Sequence, residues 1–190
     1  GKSKWSHTFD ILDLSYISVF EESQAFLDYV EGTFLRYSYQ DHVILGMGYK
    51  ITYSDQNTKN FRDSRFLRLG VESSGNTLYG INNLTGAKKN SDGSYEFVGV
   101  NYSQYVKFDF EGIFNRRIDP KNTIVYHASI GVGVPYGNVQ DLPFEKRYFG
   151  GGANGVRGWQ VRSLGPGVYK AEEVDYLNQS GDIRLLANLE

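Results

Sequence analysis

The sequence predicts an all-β fold, an antiparallel up-and-down meander that forms part of a transmembrane β-barrel. Polar and apolar residues alternate with period two over segments longer than ordinary strands. Tight and long connections alternate between those segments. The composition is rich in Tyr (15), Phe (12) and Gly (22) and poor in Pro (4), as pleated, half-buried strands require.

The alternation is clearest in 42–54, where Val43, Leu45, Met47, Tyr49, Ile51 and Tyr53 share one face and His42, Gly46, Gly48, Lys50, Thr52 and Ser54 the other. Ile44 alone breaks it. In 65–73, Leu67, Leu69 and Val71 oppose Arg68, Gly70 and Glu72. In 102–114, Tyr102, Val106, Phe108, Phe110 and Phe114 oppose Lys107, Asp109 and Glu111. In 123–134, Ile124, Tyr126, Ala128, Ile130, Val132 and Val134 oppose His127, Ser129, Gly131 and Gly133. In 182–190, Ile183, Leu185, Ala187 and Leu189 oppose Asp182, Arg184, Asn188 and Glu190. A tilted strand needs about 9–11 residues to cross a bilayer, whereas soluble strands peak at about 5–6. The connections run short (55–62), long (79–101), short (118–122) and long (135–181), the arrangement of tight turns on one side of an outer membrane and large loops on the other.

The chain therefore reads as one partial barrel domain, 1–190. Residues 1–41 are a loop and helical lead-in, 42–134 hold four strands, 135–181 form a long loop, and 182–190 begin the next strand. Within the lead-in, 10–19 could form a strand, and Phe26, Leu27, Val30 and Phe34 lie at the spacing of a short amphipathic helix over 21–36.

Several classes find no support. No run of about 18 apolar residues exists to form a transmembrane helix. The net charge of -2, without a basic run, does not call for nucleic acid. With no Cys there are no disulfides, thiolate ligands or Cys nucleophiles. His7, His42 and His127 are too scattered for a metal motif, and no Gly-x-Ser-x-Gly elbow appears. No catalytic residue, metal or cofactor is expected; Lys107, Asp109 and Glu111 read as a polar barrel wall rather than acid–base machinery. The glycines of 150–155 lack the Gly-Lys-Ser/Thr ending of a phosphate loop. No secretory leader is visible at Gly1, which for an exported protein implies a processed chain or an excised piece.

The long loop contains Arg147-Tyr148-Phe149-Gly150-Gly151-Gly152-Ala153-Asn154-Gly155-Val156-Arg157-Gly158-Trp159, then Ser163-Leu164-Gly165-Pro166-Gly167; Gly181-Asp182 and Asn188-Leu189-Glu190 follow. This ordered set resembles the outer-membrane protein-assembly superfamily (BamA-type, or bacterial surface antigen family). That family carries Phe-x-x-Gly-Gly, a Val/Ile-Arg-Gly-aromatic tip, Leu-Gly-Pro and Asn-x-Glu. Trp159 departs from the family's usual Phe or Tyr. The resemblance implies a barrel of sixteen strands, with the four clear strands matching the eighth to eleventh. It implies a loop folded into the lumen, its latch formed by Gly151, Gly152, Gly155, Val156, Arg157, Gly158 and Trp159. Glu190 and Asn188 have the parity to face inward and meet Arg157. A guanidinium held inside a barrel needs such a carboxylate.

The implied function is non-catalytic insertion of client barrels into the outer membrane of a Gram-negative (diderm) bacterium. The implied partners are outer-membrane lipids, unfolded client β-barrel proteins and accessory assembly lipoproteins. The alternatives are a protein-translocation pore or lipase-anchoring barrel of the same superfamily, a general porin or outer-membrane enzyme barrel, and a soluble β-sandwich or lipocalin-like binder.

Overall fold

The computed structural model describes residues 4–18, 41–56, 62–91, 93–153, 155–165, 167 and 179–190. The helix expected over 21–36 lies outside the described residues. In chain order the elements are β1 (Trp5–Ile17), β2 (His42–Ser54), β3 (Ser64–Ser74), α1 (Asn76–Thr85), β4 (Glu96–Phe97), β5 (Val100–Tyr102), β6 (Tyr105–Arg117), β7 (Thr123–Pro135), a 3₁₀ turn (Phe144–Lys146), β8 (Tyr148–Phe149), β9 (Ser180–Gly181) and β10 (Ile183–Leu189).

Six long strands form one antiparallel wall in the order β1-β2-β3-β6-β7-β10, each paired with its sequence neighbour in that set. Cross-strand register keeps the two faces separate. Lys50 meets Gly70, Gly70 meets Asp109, Asp109 meets Gly131, and Gly131 meets Arg184, one polar row across the wall. Ile51, Leu69, Phe110, Ile130 and Leu185 make the apolar row next to it. Because side chains alternate with a period of two, this register sends that row and the neighbouring Arg68–Glu111 and Glu72–Lys107 rungs to the same side. The apolar side stays bare: Phe9, Leu14, Leu69, Phe108 and Leu185 are all at least half exposed. Such a face suits hydrocarbon rather than water.

The lead-in reading of 1–41 is corrected for its first part: residues 5–17 are a full strand. Asp10 pairs with Gly48 and Asp13 with Gly46, so Ile11 and Leu12 together oppose Met47 alone. This β-bulge shifts the alternation by one residue, and two halves of opposite phase do not sum to a period-two signal. By count, β1 would match the strand before the four assigned above.

The long connections also hold structure that alternation does not report. Residues 79–101, read as a loop, include most of α1 and the β4–β5 hairpin. Leu78, Tyr102 and Val43 form a small buried core there, so this loop packs against the end of β2 on its apolar side. Residues 102–104 belong to this connection rather than to β6, which begins at Tyr105. The described part of the 136–182 connection goes to the other side. Its Leu142 buries with Ile44 and Tyr105, and Ile17 packs against them. Ile44 thus breaks the sequence alternation because it faces inward at a point the loop covers. Asn138 stitches the two loops, donating to Tyr95 O at 2.7 Å and accepting from Tyr95 N–H at 2.9 Å.

Candidate functional site: a loop fastened to the polar face

The polar face is concave and frames a cavity of about 1120 Å³, lined by Asp10, Lys50, Arg68, Glu72, Asp109, Glu111, His127, Lys146 and Arg184 among others. Lys146 comes from the long loop, so the loop reaches the wall.

Its glycine-rich tip is a narrow turn-back. Gly152 N–H donates to Trp159 O at 2.9 Å and Arg162 N–H to Gly150 O at 2.9 Å, pairing the outgoing and returning legs. Gly151, Gly152 and Gly158 have φ of 85°, 86° and 87°, a region costly for any residue with a Cβ. At Gly151 a side chain would also collide with the Gln160 carbonyl. The tip lies over the end of β10. Arg157 Nη2 is 3.0 Å from Glu190 Oε1, and Asn188 Nδ2 donates to Gly155 O at 3.3 Å. Arg157, Gly155, Asn188 and Glu190 are therefore brought together. Val156 and Trp159 stay 38% and 55% exposed, so neither side chain is buried by the described wall. The Arg157 side chain is itself 72% exposed, an open ion pair rather than an enclosed one.

The loop's root is held more firmly, by residues that sequence reasoning missed. Glu145 Oε2 lies 3.6 Å from His42 Nε2 on β2. Lys146 Nζ reaches Glu72 of β3 at 2.6 Å and Asp13 of β1 at 3.3 Å. Arg147, with only 8% of its side chain exposed, sits between Asp182 at 3.5 Å and Asp141 at 4.0 Å. Tyr148 donates its hydroxyl to Asp109 of β6 at 2.8 Å, with the Lys107 ammonium 4.4 Å from its ring centre. Four consecutive loop residues thus engage β1, β2, β3, β6 and the approach to β10. Arg162 ties the returning leg to the same root, its guanidinium 4.2 Å from the centre of the Phe144 ring and 5.0 Å from that of Phe149.

The electrostatics follow from this packing. Burial works against the Lys146 ammonium, but Glu72 and then Asp13 outweigh it and raise its pKa above 10.5. Burial likewise opposes the Glu145 carboxylate, yet the bond to His42 leaves its pKa below 4.5. For Tyr148, burial and the bonded Asp109 both push the phenol upward. Lys146 and Glu145 therefore stay charged near neutral pH. The wall supplies the room as well. Gly131 lies flat beneath Tyr148, where a Cβ would come within 2.5 Å of the ring, and Gly133 lies beneath Leu142.

A bilayer-length antiparallel wall with an apolar face and a polar face, the described part of a long loop packed on the latter, is the arrangement of a partial outer-membrane-type β-barrel. The chain matches the Omp85 superfamily domain over residues 33–190 and belongs to that superfamily, a class of outer-membrane protein assembly and translocation barrels. It is similar to the outer membrane protein assembly factor BamA of Neisseria meningitidis serogroup B (strain ATCC BAA-335 / MC58), with 34% identity over 56 residues. That alignment covers 28% of this chain and 7% of the relative, so the chain corresponds to a small part of the longer protein. No solved structure matches the chain.

Proposed function

We propose that this chain is a wall segment and inward-folded loop of a barrel that inserts client β-barrel proteins into the Gram-negative outer membrane. The observation that carries this reading is the juxtaposition of the Val156-Arg157-Gly158 tip with Glu190 on the wall, at 3.0 Å, in a chain of the Omp85 superfamily. The work is non-catalytic, with no cofactor or nucleotide. Clients are accepted by strand pairing and a change of barrel shape, in concert with outer-membrane lipids and accessory lipoproteins. In this reading the loop braces the working shape of the wall. Its root fixes where the loop leaves the rim, and Arg157 sets how the tip engages the strand that carries Glu190. The exposure of Arg157 suits a contact made and broken during insertion, because an open ion pair contributes little to static stability.

The test is insertion of an unfolded client barrel by the full-length protein in proteoliposomes. Arg157→Ala is expected to slow client insertion while the barrel itself remains folded, and Arg157→Lys to restore part of the rate. Wild-type insertion by Arg157→Ala would overturn the bracing role. Translocation of a soluble passenger without client insertion would instead select the secretion-pore branch of the superfamily.

A further inference from the structure

A trough crosses the apolar face of the wall near its tight-turn end. Gly112 on β6, Ala128 on β7 and Ala187 on β10 stand side by side in register. The rungs on either side are bulky: Phe114 pairs with Tyr126, and Phe110 with Ile130, which in turn pairs with Leu185. One row of small residues between two rows of large ones leaves a groove of about 750 Å³, partly filled at Gly112 by the Phe110 ring and the Leu67 side chain. Neighbouring strands are about 4.8 Å apart. From Leu67 on β3, which pairs with Gly112, to Ala187 the groove therefore runs roughly 14 Å, long enough for much of an acyl chain.

The β3 end of the groove is cationic. Arg65, one outward position nearer the turn than Leu67, holds its guanidinium 5.7 Å from the centre of the Phe114 ring. Arg116 has the same outward parity, two residues beyond Phe114. Among the described residues neither arginine forms an ion pair. The nearby carboxylate of Asp63 accepts from the Arg117 backbone N–H at 2.8 Å. Two guanidinium groups on a lipid-facing surface call for an anion, and at the turn-side interface of a bilayer that anion is a phospholipid phosphate.

We propose that this groove binds one anionic phospholipid, an acyl chain along Ala128 and Ala187 and its phosphate on Arg65 and Arg116. Tight turns face the periplasm in barrels of this kind, which assigns the lipid to the inner leaflet. The site rests on the barrel's passage through the membrane and not on the loop or on client insertion.

The test uses full-length protein in detergent, titrated with palmitoyl-oleoyl phosphatidylglycerol or with diacylglycerol of the same chains, retained lipid being counted by native mass spectrometry. Wild type is expected to keep one phosphatidylglycerol, with a preference of about tenfold or more over diacylglycerol. R65Q/R116Q is expected to abolish the preference. A128L fills the trough, leaves both arginines, and is expected to reduce retention of both lipids. Equal retention of the two lipids by wild type would overturn the site without recourse to any variant. Undiminished phosphatidylglycerol binding by R65Q/R116Q, or by A128L, would overturn it as well. Absence of the lipid preference from wild-type protein that inserts clients would reject this site and leave the function proposed above standing.

Discussion

Lys146 of the long loop and Glu72 of β3, 74 residues apart in sequence, meet at 2.6 Å on the inner face of the wall. Glu72 also accepts the Tyr105 hydroxyl at 2.7 Å, so the lysine completes a three-group cluster rather than a lone surface pair. Removing the ammonium leaves a largely buried carboxylate with a neutral donor only. Lys146→Met is therefore expected to destabilise the refolded full-length barrel by about 1–3 kcal/mol. The check is a urea unfolding series with Lys146→Met, Glu72→Gln and the double variant. Strictly additive losses would show that the two groups do not interact.

Tyr148 and Gly131 give a steric test of the same docking. A methyl group at 131 would come within 2.5 Å of the Tyr148 ring, which sits over bare backbone. Gly131→Ala is expected to lift the ring, break the 2.8 Å bond to Asp109, and destabilise the barrel by about 1–3 kcal/mol. Thiol labelling at Ser163→Cys, in cells, is expected to quicken in the Gly131→Ala background. Unchanged labelling and stability would mean that the loop does not rest on this glycine.

These relationships differ in how far sequence reveals them. The wall was legible wherever a strand kept one phase, as β2 and β7 do, because a buried or lipid-facing row must recur every second residue. β1 was legible only in its second half, as the possible strand over 10–19, since Ile11 and Leu12 face Met47 together and reset the phase. α1 escaped because its Asn-rich, Gly-containing stretch carries little helical propensity and is held by Leu78 packing on Val43. Arg157 and Glu190 could be paired in advance from a motif and from parity along one strand. Lys146 reaches Asp13 across 133 positions. Neither spacing nor local pattern encodes such a contact, which exists only once the wall has assembled.

Arg147 and Arg157 lie ten positions apart in one loop and should behave differently. Arg147 keeps 8% of its side chain exposed, between two aspartates, whereas Arg157 keeps 72%. Arg147→Ala leaves Asp182 and Asp141 without the guanidinium between them and is expected to cost about 1–3 kcal/mol. Arg157→Ala is expected to cost about 1 kcal/mol or less, its effect appearing in client insertion instead. Heat-modifiability of the two variants on gels, measured beside insertion rates, separates these roles. A larger stability loss from Arg157→Ala would reverse the ranking and make the tip the principal fastening.

The loop root should also set a pH window. Lys146 has a folded pKa above its ordinary 10.5, so its contribution is complete below about 10.5 and fades as pH climbs through the raised value. Glu145 has a folded pKa below its ordinary 4.5, so its contribution is complete above about 4.5 and is lost as pH falls through the depressed value. Protection of the 141–149 backbone against hydrogen exchange, corrected for intrinsic rates, is therefore expected to drop as pH climbs above about 10.5 and as it falls below about 4.5. Partial exposure of Glu145 makes the acid-side drop the smaller one. The Lys146→Met variant should lose the alkaline drop and keep the acid one. An alkaline drop that survives this substitution would place the titrating group elsewhere and remove Lys146 from the fastening.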